Sequence, residues 1–253
     1  MPQLSEVISA HQDTVLLYGV SGSGKTTLWG RMAEYERYSP IFCADFDLRL
    51  TSLRASLDEK LLSNIYFEEF RDSNVQGDSY VRLESISRNL GALNAKHGVV
   101  FKTLVIDSGT FLMDSIMARV QLLDGGKSAR DNPHLQHYMA QQSCLRELIQ
   151  RFTSCGLHFV FTAHEDTDKD EVTGRMFKNL ALTGKSAQKT PGYFNELWHT
   201  EVKAPKPTES EPSFVVRTRS DAIYSARTSY KFLTSVEPQT EIWKKINGNC
   251  KAL

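Results

Sequence analysis

The stretch Gly19-Val-Ser-Gly-Ser-Gly-Lys-Thr26 constrains this chain more than any other. It fits G-x-x-x-x-G-K-[ST], directly after the apolar run Thr14 to Tyr18 and before a segment predicted to be helical from about Lys25 to Tyr38. Glycines at these spacings let backbone N–H groups turn inward around phosphate oxygens, and the positive end of the following helix adds to the attraction. Gly19, Ser21, Gly22, Ser23, Gly24, Lys25, Thr26 and Thr27 are therefore the candidate phosphate cradle. Lys25 is expected to reach the β- and γ-phosphates and Thr26 to offer its hydroxyl to Mg²⁺. The plainer alternative is a flexible Ser/Gly turn with an incidental lysine. The strand-loop-helix context argues for the cradle, so the expected ligand is a magnesium nucleoside triphosphate.

Further apolar runs bounded by turn residues predict strands: "PIFCADF" from Pro40, "NIYFEEF" from Asn64, "FKTLVID" from Phe101 and "LHFVFTA" from Leu157. Between them, Leu83, Ile86, Leu90 and Leu93 share a helical face, as do Leu112, Ile116 and Val120, then Tyr138, Leu145, Ile149 and Phe152. Such alternation predicts an α/β fold with a mostly parallel sheet and helices on both faces, and a ligand crevice beyond the strands' carboxyl ends. After Ala163 the chain becomes polar, and "ELWHTEV" and "SFVVRTR" predict an antiparallel extension around a Pro-rich loop. The expected organisation is one domain: a lead over 1–13, the core over 14–164, a loop and sheet extension over 165–236, and a helix or tail over 237–253. The stretch from Gly125 to Pro133 reads as a mobile loop.

Thirty basic and thirty acidic residues cancel, so nucleic-acid binding requires a local basic surface. Cys43, Cys144, Cys155 and Cys250 lack the paired spacing of a zinc site and read as reduced thiols. No apolar run approaches the roughly 18 residues of a membrane span, and the start lacks a signal-peptide pattern, so a cytoplasmic protein is expected.

A phosphate cradle needs a carboxylate at the end of another strand, and "TLVIDSGT" supplies Asp107 as the partner of Thr26 for Mg²⁺, in part through water. The alternative is an Asp that only caps the helix beginning near Gly109. Ser108 follows where many such ATPases place a catalytic Glu, so the water-activating base must lie elsewhere. Asp45 and Asp47, after the strand from Ile41, are the candidates if that strand neighbours the cradle. His164, ending the strand from Leu157, is placed to contact the γ-phosphate or its attacking water.

Four segments, "YGVSGSGKTT", "FCADFD", "LVIDSGT" and "FVFTAHE", resemble those of RecA-like P-loop ATPases in family order. More closely they resemble phage-encoded nucleotide-binding proteins with a RecA core that act in single-strand annealing or recombination. The similarity runs from about Thr14 to Arg227, although only the first segment is individually specific. The resemblance implies a RecA-like core and ATP hydrolysis with Mg²⁺, with Asp47 at the position of the family's catalytic glutamate and His164 at that of its sensor glutamine. The shorter Asp leaves the choice between Asp47 and Asp45 open. It further implies a DNA-facing loop after His164, with Arg175, Phe177, Lys178 and Lys185 as contacts. A basic residue supplied across a subunit interface is implied as well, drawn from Arg217, Arg219 and Arg227.

The implied partners are single-stranded DNA and further copies in a ring or filament with nucleotide between subunits, with a single-stranded DNA-binding protein or helicase as an additional partner. No membrane is involved. Two other readings stay open on the residues alone: a P-loop phosphotransferase with "GGKSARDNPH" as a lid carrying Lys127 and Arg130, and a helicase-loading adaptor that binds nucleotide with little hydrolysis.

Overall fold

A computed structural model describes residues 12–72, 76–125, 131–169, 171, 174–205 and 210–250. The phosphate-loop strand β1 (Thr14–Gly19) leads into helix α1 (Lys25–Gly30). There follow β2 (Ile41–Asp45), two short helices α2 (Thr51–Ser56) and α3 (Glu59–Leu62), and β3 (Ile65–Glu69). Helices α4 (Asp78–Arg88) and α5 (Leu90–His97) precede β4 (Thr103–Asp107), and helices α6 (Gly109–Leu123) and α7 (Leu135–Ser154) precede β5 (His158–Lys169). The rest comprises β6 (Met176–Leu180), the single turn α8 (Ser186–Lys189), β7 (Glu196–Lys203), β8 (Ser213–Arg217), β9 (Val236–Pro238) and α9 (Ile242–Cys250).

Eight strands form a continuous path in the order β3-β2-β4-β5-β1-β7-β8-β9, and β6 pairs with β5. From β3 to β7 every pairing is parallel, while β8 and β9 add on antiparallel. Side-chain alternation divides the core between the two faces, because successive strand residues point to opposite sides. Leu16 and Tyr18 of β1, Phe42 of β2 and Phe159 and Phe161 of β5 join Leu83, Ile116, Leu145 and Ile149 of the helices on one side. Val15 and Leu17 of β1, with Val160 of β5, meet Trp29 of α1, Trp198 of β7 and Trp243 of α9 on the other. Both faces are covered, so the central strands are apolar throughout.

Several local expectations shift. The helix after the cradle is α helical only to Gly30 and tightens into a 3-10 turn over Arg31–Glu34, because the chain becomes extended at Tyr35 on its way to β2. Leu83 and Leu93 lie on separate helices, broken at Asn89, whose side chain accepts a hydrogen bond from the Ala92 backbone N–H and so caps α5. The segment after His164 is a β-hairpin: β5 runs on to Lys169 and pairs Glu165 with Leu180 through Lys169 with Met176. Strand β9 crosses the expected boundary at 236/237, and α9 supplies the C-terminal helix. Among the described residues no helix is long and apolar enough to cross a membrane.

Candidate active site

The parallel strands end along one edge, and the cradle follows β1 there. Gly24 has φ 87, a backbone conformation that demands glycine, and a Cβ there would lie 2.4 Å from the Gln239 Oε1 atom and displace that side chain. Gln239 belongs to the segment between β9 and α9, and its Nε2 donates to the Ser23 carbonyl at 2.8 Å and to the Val215 carbonyl at 3.3 Å. On the other side, the Ser23 and Thr200 hydroxyls are 2.6 Å apart, and Thr200 donates to the Tyr18 carbonyl at 3.2 Å. Strand β7 and the segment after β9 thus grip the loop between them. Lys25, 7% exposed, folds across the loop and donates to the carbonyls of Gly19 and Val20, each at 2.9 Å. Burial lowers its pKa, opposed by the nearby carboxylates of Asp107 and Asp47.

Asp107 ends β4 and is 2% exposed. Strand β5 separates β4 from β1, yet the Thr26 hydroxyl donates across the gap to Asp107 Oδ2 at 2.7 Å. The Trp29 indole donates to the same oxygen at 2.9 Å, and the Thr162 hydroxyl on β5 donates to Oδ1 at 2.6 Å. Three donors from α1 and β5 therefore fix one carboxylate opposite Thr26. Beside it the Ser108 hydroxyl is buried and has no hydrogen-bond partner among the described residues.

Strand β2 is no neighbour of β1, since β4 and β5 intervene. Asp45 stands in register with Asp107, accepts the Leu48 backbone N–H at 2.8 Å and is pushed by burial up to about 6. Asp47 lies beyond the strand end, where its Oδ1 is 3.3 Å from Arg49 Nε and its Oδ2 is 3.9 Å from His164 Nε2. Arg49 also donates to the Ser21 hydroxyl at 3.1 Å and so ties the β2 turn to the cradle. His164 pairs in register with Gly19, and burial, followed by the charge of Lys25, holds its pKa below the usual imidazole value. Lys25, Thr26, Asp107, Asp47 and His164 thus converge on one edge.

Most of the charged residues expected beyond this edge are engaged within the chain. Lys178 Nζ is 2.9 Å from Glu165 Oε1 and donates to the Thr167 hydroxyl at 2.8 Å. Burial raises Glu165, but hydrogen bonds from His199 and Lys178 outweigh it and hold the carboxyl below its ordinary value. Arg175 donates to the Ala222 carbonyl, Phe177 is half-buried and Lys185 is exposed at the start of α8. Arg217 is paired with Glu201 at 2.6 Å and Asp221 at 2.7 Å and lies over the Tyr224 ring. Arg219 donates to the Leu233 carbonyl at 3.2 Å, and Arg227 to the Pro191 and Phe194 carbonyls at 2.8 and 2.6 Å. Lys127 and Arg130 lie outside the described residues.

Trp29, Arg49, Thr162, Thr200 and Gln239 were not foreseen. Thr162 had a signal, a lone hydroxyl inside the apolar run "FVFTA", whereas Gln239 sits in a polar turn with none.

Among solved structures, that of the RadB recombinase aligns with a TM-score of 0.45 at 16% identity, over 83% of this chain and 84% of that one. No curated protein matches the sequence. The AAA domain family, AAA_24, matches residues 11–230, which is most of the chain and includes every element of the site from β1 to Thr200. The chain therefore belongs to the AAA domain family AAA_24, a family of P-loop ATPases.

Proposed function

We propose that the protein is a cytoplasmic ATPase that binds single-stranded DNA, assembles head to tail with nucleotide between subunits, and supports annealing or strand exchange in phage recombination or replication. The observation that carries the catalytic part is the Thr26 hydroxyl held 2.7 Å from Asp107 at the mouth of a glycine-lined loop. A hydroxyl and a carboxylate so placed are a hard-oxygen donor pair that fits Mg²⁺, and the loop's glycine shape fits phosphate. Bound Mg²⁺ would neutralise charge on the β- and γ-phosphates.

Thr26 would hold the ion directly and Asp107 through water, while Trp29 and Thr162 keep the carboxylate oriented. Lys25 would leave the carbonyls of Gly19 and Val20 for phosphate oxygens, so its present bonds mark a resting position. Asp47 would take a proton from the attacking water. It stands farther out than the buried Asp45, whose carboxylate is committed to the Leu48 N–H. His164, 3.9 Å from Asp47, would orient that water or report the γ-phosphate.

Measured ATP turnover with and without single-stranded oligonucleotide tests this reading. Stimulation by DNA is expected in the wild type, and Lys25→Ala should lose turnover and bind triphosphate far more weakly. Wild-type turnover in that variant would overturn the assignment. The ion pair of Asp47 with Arg49 supports one further reading, a nucleotide-gated adaptor that loads a helicase or another single-strand-binding partner and hydrolyses slowly. Tight ATP binding with negligible turnover in the presence of DNA would favour it.

A further inference from the structure

The hairpin after His164 offers few cations for phosphate, since Lys178 is committed to Glu165 and Arg175 donates to Ala222. Unpaired positive charge lies elsewhere. Among the described residues Arg146 on α7, Lys185 at the start of α8 and Lys189 at its end form no ion pair, and all three are exposed. Arg146 and Lys189 line the same groove of about 210 Å³ between α7, α8 and the 3-10 turn Thr190–Tyr193. Gln142, Ser186 and Thr190 add amide and hydroxyl groups to its walls, and Tyr193 adds an aromatic ring. Two cations, several neutral hydrogen-bonding groups and one ring are the chemistry that grips a phosphodiester with its attached base. The groove is smaller than the roughly 300–1,000 Å³ of a pocket that engulfs a drug-sized ligand, so it suits one unit of a longer chain.

We infer that the groove between α7 and α8 is a contact site for single-stranded nucleic acid, with Arg146 and Lys189 on phosphate and Tyr193 against a base. This inference rests on the DNA-binding reading above but moves the contact away from the hairpin. Arg146 and Lys189 are exposed and belong to neither the nucleotide cradle nor the core, so they can be altered without touching either.

The test compares wild type with an Arg146→Gln/Lys189→Gln double variant in binding a fluorescent oligo-dT across a salt series, alongside ATP affinity. Both side chains are exposed, so folding is expected to survive and ATP affinity to stay the same. The variant should bind the oligonucleotide at least tenfold more weakly, and its slope of log K against log salt should be shallower by about 1.4, two contacts at about 0.7 each for a single strand. Equal affinity and slope in the two proteins would overturn the groove while leaving DNA binding intact. No oligonucleotide binding by wild type would overturn the DNA-binding reading itself. Loss of binding to free dTMP or to an acidic peptide, with oligonucleotide binding unchanged, would assign the groove to another ligand and overturn the inference.

Discussion

Asp107 shows how tightly single side chains are interlocked at this site. Its two oxygens accept from Thr26, Trp29 and Thr162, and two of those donors are fully buried. Asp107→Ala should abolish hydrolysis and also lower stability, by about 1–3 kcal/mol for each buried donor left without an acceptor, read as a shift in the urea midpoint.

Asp45 makes a prediction of opposite character. Burial raises its pKa to about 6, against about 3.9 in an unfolded chain, so between those values the folded state holds more protons. Its contribution to stability therefore falls as pH rises from about 4 to about 6. Comparing urea midpoints of wild type and Asp45→Asn in magnesium-free buffer should show the variant gaining relative stability across that window. An unchanged difference would mean that Asp45 titrates normally.

At this scale the sequence was informative wherever chemistry dictates a residue type at a fixed spacing, as with Lys25, Thr26 and Asp107. It was silent on Trp29 and Gln239, whose role depends on a fold that brings remote segments together. Arginine candidates were legible as charges but not as partners, since only the folded chain shows Arg217 already neutralised by Glu201 and Asp221.

Elements tell a similar story about what periodicity can reveal. The central strands were evident because burial on both faces makes them continuously apolar. The extension of β5 was hidden because Thr167, Asp168 and Lys169 are exposed, and a solvated hairpin has no apolar face to announce it. Helix α9 is the least obvious element and one of the most consequential. Trp243 is 2% exposed, packs its ring 5.2 Å from that of Trp198, and donates from its indole to the Leu28 carbonyl of α1 at 2.6 Å. Trp243→Ala should cost about 3–5 kcal/mol. Because α1 carries Thr26 and Trp29, ATP affinity should fall as well; a stability loss with undiminished ATP affinity would show that α9 supports the core alone.

At the level of the whole molecule, the strand order separates β1 from β4 by a single strand, so Thr26 of the helix that follows β1 can meet Asp107 of β4 over the end of β5. Spacing in the sequence pointed to a parallel sheet but could not order its strands, so whether β2 neighbours β1 stayed open until the fold placed β4 and β5 between them. Arg219 is exposed and makes one hydrogen bond to a main-chain carbonyl, so it is more readily offered to a neighbour than Arg217. If it acts across an interface, Arg219→Ala and Lys25→Ala proteins, each inactive alone, should regain ATP turnover when mixed. Failure of the mixture to exceed the sum of its parts would count against a shared site.

The grip of Gln239 on Ser23 carries one more consequence, in the order of synthesis. The phosphate loop is completed by residues made more than two hundred positions after it. A nascent chain halted before Gln239 and Trp243 would carry the full glycine motif yet lack the groups that brace it. Competence to hold nucleotide should therefore arrive only once Gln239 and Trp243 have been made and folded, which would keep chains shorter than that from competing for ATP or entering an assembly.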